Sequence, residues 1–134
     1  MKKQKIKVLY VDDNPRDREM IDAFIRNEGL LYDCVFAGSV AEGKKILNLY
    51  RFDIVILDYN LGDGCAFDLF NDVSNDASIM IVTGTDQENI AVQAMKKGAA
   101  DYLVKDVAGD YLKNLPGAIN QAITSFYDQG GQRR

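Results

Sequence analysis

Histidine is absent from this chain of 134 residues. That excludes imidazole-ligated metals, an imidazole general base and a phosphohistidine on the chain itself. Cysteine is scarce. Cys34 and Cys65 are the only two, and no CxxC spacing joins them. They read as free thiols in a reducing compartment, not as a redox pair or a zinc site. No apolar run approaches the ~20 residues that a membrane span needs. The basic start, Met1 to Lys7, lacks the apolar stretch of a secretory signal, so a cytoplasmic location is expected. Positive charge is not in excess either. A net charge of −4 and an isoelectric point near 4.8 give no reason to expect direct binding to nucleic acid or to an anionic membrane. What is present is 47% hydrophobic and 27% charged, the balance of one soluble globular domain large enough for a core without staples.

The apolar residues fall into short runs separated by helical patterns. Ile6–Val11, Tyr32–Phe36, Phe52–Leu57, Ile79–Val82 and Asp101–Val104 read as five strands. Asn14-Pro15 opens a first helix, with Asn14 as N-cap and Pro15 at the first helical position, and Gly29 stops it. Ser39-Val-Ala-Glu42 is a capping box for a second helix carrying Val40, Ile46, Leu47 and Tyr50 on its apolar side. A third helix is expected with Phe67, Phe70 and Val73 on one face. Thr85-Asp86 caps a fourth that carries Ile90, Ala91, Ala94 and Met95. The fifth runs from about Asp110 to Tyr127. Pro116 falls inside it, so a kink or a late start near Asn114 is expected. Strands alternating with helices through short loops give a doubly wound α/β fold, flavodoxin-like, with a parallel five-stranded sheet in the order 2-1-3-4-5. The domain covers residues 1–128, and 129–134 form a frayed end or a linker stub.

Open α/β sheets place their sites at the C-terminal ends of the strands, where the strand order reverses. Asp12 and Asp13 end the first strand and Asp58 ends the third, so that order brings three carboxylates together. Such a cluster repels itself unless protons or a cation neutralise it, and oxygen-only ligands suit Mg²⁺. Thr83 and Lys105 end two further strands on the same rim. An aspartate can act as a nucleophile on phosphorus, and a lysine with Mg²⁺ can neutralise the incoming oxygens. Each residue also has an ordinary explanation. Asp12-Asp13-Asn14 can cap a helix, Asp58 can be a loop carboxylate, Thr83 a plain strand end, Lys105 a solvated lysine and Tyr102 simple packing.

Taken in order, Val-Leu-Tyr-Val-Asp12-Asp13-Asn-Pro, Ile-Val-Ile-Leu-Asp58-Tyr-Asn-Leu, Ile-Val-Thr83-Gly and Ala94-Met-Lys-Lys-Gly98-Ala-Ala-Asp-Tyr102-Leu-Val-Lys105 resemble the two-component response-regulator receiver domains of the chemotaxis-regulator type. The resemblance runs from about Lys5 to Phe126. It implies that Asp58 is the phospho-acceptor and that Asp13 and Asp12 hold Mg²⁺, with Asp58 and the backbone carbonyl of Asn60 completing the protein ligands. Lys105 then pairs with the phosphoryl oxygens, while Thr83 and Tyr102 are the switch residues and Gly84 leaves access. Asn60 and Thr85 occupy positions that resemble the family's rate-tuning ones. The implied function is a phosphorylation-dependent signalling switch, not an enzyme on other substrates, although it catalyses its own phosphorylation and dephosphorylation. A histidine kinase or phosphotransfer protein is the implied donor. A protein target or a covalently linked output domain is the implied receiver, and homodimerisation is compatible with either. The face made by the fourth helix, fifth strand and fifth helix is the implied contact surface.

Three positions depart from the family pattern. Gly62 stands where proline is frequent, which costs the turn some stiffness. Lys105 is followed by Asp106 in place of proline. A cis bond there costs ~3 kcal/mol, so the peptide is either trans or held in strain. Pro116 makes the last helix unusual. Two other functions compete. A receiver-like module that binds partners without phosphorylation would keep the fold and lose the chemistry. A Mg²⁺-dependent phosphatase of the haloacid-dehalogenase type needs Asp-x-Asp after the first strand, whereas here the acids are adjacent. A flavin-binding flavodoxin is disfavoured, because an acidic pair after the first strand would repel the phosphate.

Overall fold

In a computed structural model, which describes residues 4–84, 88–128 and 130, the apolar runs form one sheet. Its strands are β1 (Ile6–Val11), β2 (Tyr32–Ala37), β3 (Ile54–Leu57), β4 (Ser78–Thr83) and β5 (Asp101–Val104), all parallel, in the order β2-β1-β3-β4-β5. The expected order is therefore the observed one. β3 and β4 are buried at every residue, as near-continuous aliphatic strands of a two-faced sheet must be. Edge strand β2 is only half-buried along most of its length.

Side chains alternate between the two faces. Leu9, Val11, Val55, Leu57, Ile79 and Ile81 join Val40 of α2 (Val40–Leu49), Leu69 and Phe70 of a 3-10 helix (Ala66–Asp72) and Ala94 of α3 (Glu88–Lys96). Val8, Tyr10, Ile54, Ile56, Met80 and Val82 join Ile21 and Ile25 of α1 (Pro15–Asn27), with Leu112, Leu115, Ile119 and Ala122 of α4 (Tyr111–Asp128). Each large aliphatic side chain buried in these layers contributes about 1.5–3 kcal/mol from water exclusion. α2 packs closely on the 3-10 helix at Gly43, where a Cβ would lie 3.0 Å from Leu69 Cδ1.

The helix signals act much as their chemistry demands. The Asn14 side chain accepts from Arg16 N at 3.0 Å, Pro15 opens α1, and Gly29 takes φ +61° after its end. Ser39 Oγ accepts from Glu42 N at 3.0 Å, while Glu42 reaches back to Gly38 N instead of to the cap's own amide. The expected cap at Thr85-Asp86 lies outside the described residues.

Three expectations need correction. The third helix is a 3-10 helix, not an α-helix. Phe67, Phe70 and Val73 are spaced by three, which stacks them in a helix of three residues per turn. Tyr50 is exposed at the end of α2, while Ile46 and Leu47 pack inward. The last helix, α4, covers Tyr111–Asp128, close to the expected range, and runs through Pro116, so the late start near Asn114 does not occur. Its start is fixed by Asp106, whose carboxylate accepts from Asp110 N at 3.0 Å and Tyr111 N at 2.8 Å. Proline removes one backbone bond, but the buried stripe Leu112, Leu115, Ile119, Ala122 and Phe126 clamps the helix to the sheet on both sides of it. The Lys105–Asp106 peptide is trans, as is every peptide bond among the described residues.

Candidate functional site

The site follows from the strand register. Val11 pairs with Leu57, so the residues that leave the two strands, Asp12 and Asp58, come out side by side. The ladder continues one step past each strand: Asp12 N donates to Ala37 O at 3.0 Å and Asp58 N to Val11 O at 2.9 Å. One carboxylate oxygen from each of Asp12, Asp13 and Asp58 lies within 4.8 Å of the others. Asp12 is buried, Asp58 is 9% exposed and Asp13 faces solvent.

Lys105, immediately after β5, reaches across to this cluster. Its Nζ lies 2.6 Å from Asp12 Oδ2, 2.9 Å from Asp17 Oδ2 and 3.3 Å from Asp58 Oδ2. Burial works against the charged ammonium. Hydrogen bonds with Asp12 and Asp17, and the charges of Asp58 and Asp12, outweigh it, so the lysine pKa is raised. Burial likewise pushes the Asp58 carboxyl up from its ordinary 3.8 to about 6. Lys105 opposes that rise, Asp12 adds to it, and hydrogen bonds from Thr83 and Lys105 lower it again. Thr83 is buried at the end of β4, and its backbone carbonyl accepts from Lys105 N at 2.9 Å. One ammonium cannot neutralise this many acids, so the pocket is electronegative and suited to a cation.

The acids are held by their neighbours. Asp12 Oδ1 accepts from Asn14 N at 3.0 Å, its Oδ2 from the Tyr10 hydroxyl at 3.4 Å, and its backbone carbonyl from Arg18 Nη1 at 2.5 Å. Asn60 sits in the loop after β3, bridged to Cys65. The two backbone bonds of that bridge, Leu61 N to Gly64 O and Ala66 N to Tyr59 O, flank Asn60 and do not draw on its carbonyl. Gly62 takes φ +78°, a conformation closed to proline. In place of proline, Asp63 anchors the loop. Its carboxylate accepts from Val40 N at 2.8 Å and Ala41 N at 3.0 Å, which holds its pKa low. Tyr102 is half-buried on β5 and packs against the core face that holds Leu57 and Ile81. Cys34 and Cys65 are both free, and burial pushes the Cys34 thiol up to about 12.

The structure thus gathers Asp12, Asp13, Asp58, Thr83 and Lys105 at one spot. It sets Asn60 in the adjoining loop and Tyr102 on the neighbouring strand. Sequence reasoning missed Asp17 and Asp63. Asp17 lies in the first turn of α1, and no spacing ties it to the strand-end acids, because Asp13 stands ahead of the helix cap Asn14. Asp63 carries no periodic signal either, because its partner is a helix start more than twenty residues earlier. Among the described residues no helix is long and apolar enough to cross a membrane.

Fold and site together define a doubly wound α/β domain with an all-oxygen acidic cluster at its topological switch point. The family model for the response regulator receiver domain matches residues 8–115, and the chain belongs to that family, the receivers of two-component systems. It is 31% identical over 112 residues to the response regulator protein PilR of Pseudomonas aeruginosa. That match covers 81% of this chain but 25% of PilR, so the chain spans about a quarter of its relative's length. Among solved structures, a response regulator receiver domain from Clostridium thermocellum superposes with a TM-score of 0.76 at 29% identity, covering 90% of this chain and 95% of that one. The response regulator TrrA of Thermotoga maritima, in complex with Mg²⁺ and beryllium fluoride, gives 0.70 at 25% identity, covering 85% and 98%.

Proposed function

We propose that this receiver is a phosphorylation-operated switch in which Asp58 accepts a phosphoryl group from a histidine kinase or phosphotransfer protein, with Mg²⁺ as cofactor. The observation behind this is the convergence of the Asp12, Asp13 and Asp58 oxygens within 4.8 Å, with the Lys105 ammonium directed into the same spot. An all-carboxylate donor set with one exposed member fits a hard, partly hydrated cation. Asp12, Asp13, Asp58 and the Asn60 carbonyl would hold it. Bound there, Mg²⁺ would supply positive charge that offsets the carboxylates and the transferring phosphoryl oxygens. The complex of the similar TrrA with Mg²⁺ and beryllium fluoride supports both the metal and an anion beside it.

The remaining steps belong to the chain. An Asp58 oxygen forms the new bond to phosphorus. The donor's bond, P–N in a phosphohistidine or P–O in acetyl phosphate, breaks, and its electron pair leaves with the departing group. Lys105 donates to a phosphoryl oxygen and the Thr83 hydroxyl to another. The Thr83 hydroxyl already engages Asp58, so the new group draws it inward. Tyr102, on the next strand, follows into the space released. The altered surface is the α3–β5–α4 face, read by a protein target or by a covalently linked output domain. In this reading the chain works in the cytoplasm as a switch, and the only chemistry it catalyses is its own phosphorylation and dephosphorylation. Intact mass after incubation with Mg²⁺ and acetyl phosphate tests this. One added phosphoryl group on the wild type, absent from Asp58→Asn, is expected. No adduct on a wild type that still binds Mg²⁺ would favour a module that binds partners without phosphorylation.

A further inference from the structure

We propose that Asp17 is a positioning residue of this site, a brake that holds Lys105 away from an incoming phosphoryl group. The inference rests on the switch function above and adds a residue to it. Asp17 is the third residue of α1, a place where an acid commonly turns back to the amide of the cap residue. Here that amide is taken: Asn14 N donates to Asp12 Oδ1 at 3.0 Å. The Asp17 carboxylate turns instead onto Lys105, 2.9 Å from Nζ, with its side chain 20% exposed.

An ammonium has three protons, and three carboxylates surround this one, at 2.6, 2.9 and 3.3 Å. Lys105 therefore has no donor in reserve for a phosphoryl oxygen. One carboxylate must give way. Asp12 and Asp58 belong to the acidic cluster, where a cation would become their partner, whereas Asp17 stands outside it. Once a cation is bound, Asp17 is the carboxylate that still competes with the phosphoryl group for the lysine. It also adds a like charge beside the place where an anion must settle. Both effects slow capture and weaken retention of an anion at Asp58. An acid at the start of a helix also favours the helix through its dipole. That role alone would leave anion binding unchanged.

The two roles separate on Asp17→Asn and Asp17→Glu. Beryllium fluoride affinity is measured by titration in Mg²⁺, labelling by acetyl phosphate is followed by intact mass, and Mg²⁺ affinity is measured alone. The Lys105 Nζ–H₃ signal is recorded by NMR in metal-free protein. Asp17→Asn is expected to bind beryllium fluoride about tenfold more tightly and to be labelled faster by a similar factor, the order set by one like charge removed at close range. Its Mg²⁺ affinity should be unchanged or weaker, and the Lys105 ammonium signal should broaden as one acceptor is lost. Asp17→Glu should return all four readings toward wild type. General loosening of the site would instead weaken metal and anion together and overturn the proposal. So would an Asp17→Asn variant with wild-type labelling and anion affinity, which would leave Asp17 as a helix-start acid only. A wild type that takes no phosphoryl group at all would sink the switch function first and this proposal with it.

Discussion

Replacing Asp58 by asparagine is expected to stabilise the metal-free protein, and to do so only above a certain pH. Asp58 is 9% exposed, beside buried Asp12 and within 3.3 Å of Lys105. Burial outweighs the lysine, so its carboxyl is pushed up to about 6 from the 3.8 of a solvated aspartate. A raised acid pKa means that the folded state holds its proton longer than the unfolded chain does. The associated stability is complete below about pH 4, is lost as pH rises toward 6, and stays lost above it. At ~1.4 kcal/mol per pH unit, ionised Asp58 costs the native state roughly 3 kcal/mol. Asparagine has nearly the same shape and no charge.

The variant should therefore gain about 1–3 kcal/mol over wild type at pH 8, the lower figure allowing for relaxation of the pocket. The gain should shrink toward zero near pH 4.5. Urea titrations in EDTA at the two pH values give the difference directly, provided the slopes agree. Saturating Mg²⁺ should close the gap at pH 8, because a ligand of the native state stabilises the wild type by mass action. A variant no more stable than wild type at pH 8 would refute the argument. So would a gain of the same size at both pH values, since only ionisation of Asp58 makes it depend on pH.

Three further outcomes follow from single contacts. Asp13→Ala should abolish labelling by acetyl phosphate, because it removes the exposed member of the acidic cluster; labelling at the wild-type rate would place the cation elsewhere. Pro116→Ala should raise stability by about 1–3 kcal/mol, by restoring a backbone donor inside α4 and relieving the ring's clash; a lower urea midpoint would mean that packing of the ring outweighs both. Asp63→Ala should lower the thermal midpoint and slow labelling together, since the carboxylate caps α2 and anchors the Asn60 loop; a thermal shift with labelling untouched would uncouple that loop from the chemistry.

The sheet and the acids at its rim were legible in the sequence because both obey a local rule. Buried parallel strands are continuous aliphatic runs, as in Ile54–Leu57, and the residue that ends such a run sits at the rim whatever surrounds it. Asp12, Asp58 and Thr83 followed from that rule, and Lys105 with them. The 3-10 helix was half legible. The spacing Phe67, Phe70, Val73 signals a buried face, but a seven-residue stretch does not separate a period of three from one of 3.6. The extent of α4, from about Asp110, was legible, but Pro116 is a strong local signal that suggested a late start near Asn114, and the Asp106 cap that rules it out is a weak one. Asp17 was hidden for a different reason. Its partner is 88 residues away, just past edge strand β5, and the two meet only because Lys105 reaches back across the rim of the sheet.

The two departures from the family's proline pattern become one design once the hydrogen bonds are traced. Proline stiffens a loop by removing chain freedom. This chain lacks it after β3 and again after Lys105, and at both places an exposed aspartate caps a helix. Asp63 ties the Asn60 loop to the first amides of α2. Asp106 ties the Lys105 loop to Asp110 and Tyr111, at the start of α4. Both carboxyls have lowered pKa values, because the amides favour the ionised form. The restraint is thus electrostatic where the family's is steric. A steric restraint is indifferent to pH, whereas these two weaken when their carboxylates are protonated. The loops on either side of the acidic cluster should loosen in acid, while the sheet, whose core holds no charge, stays closed.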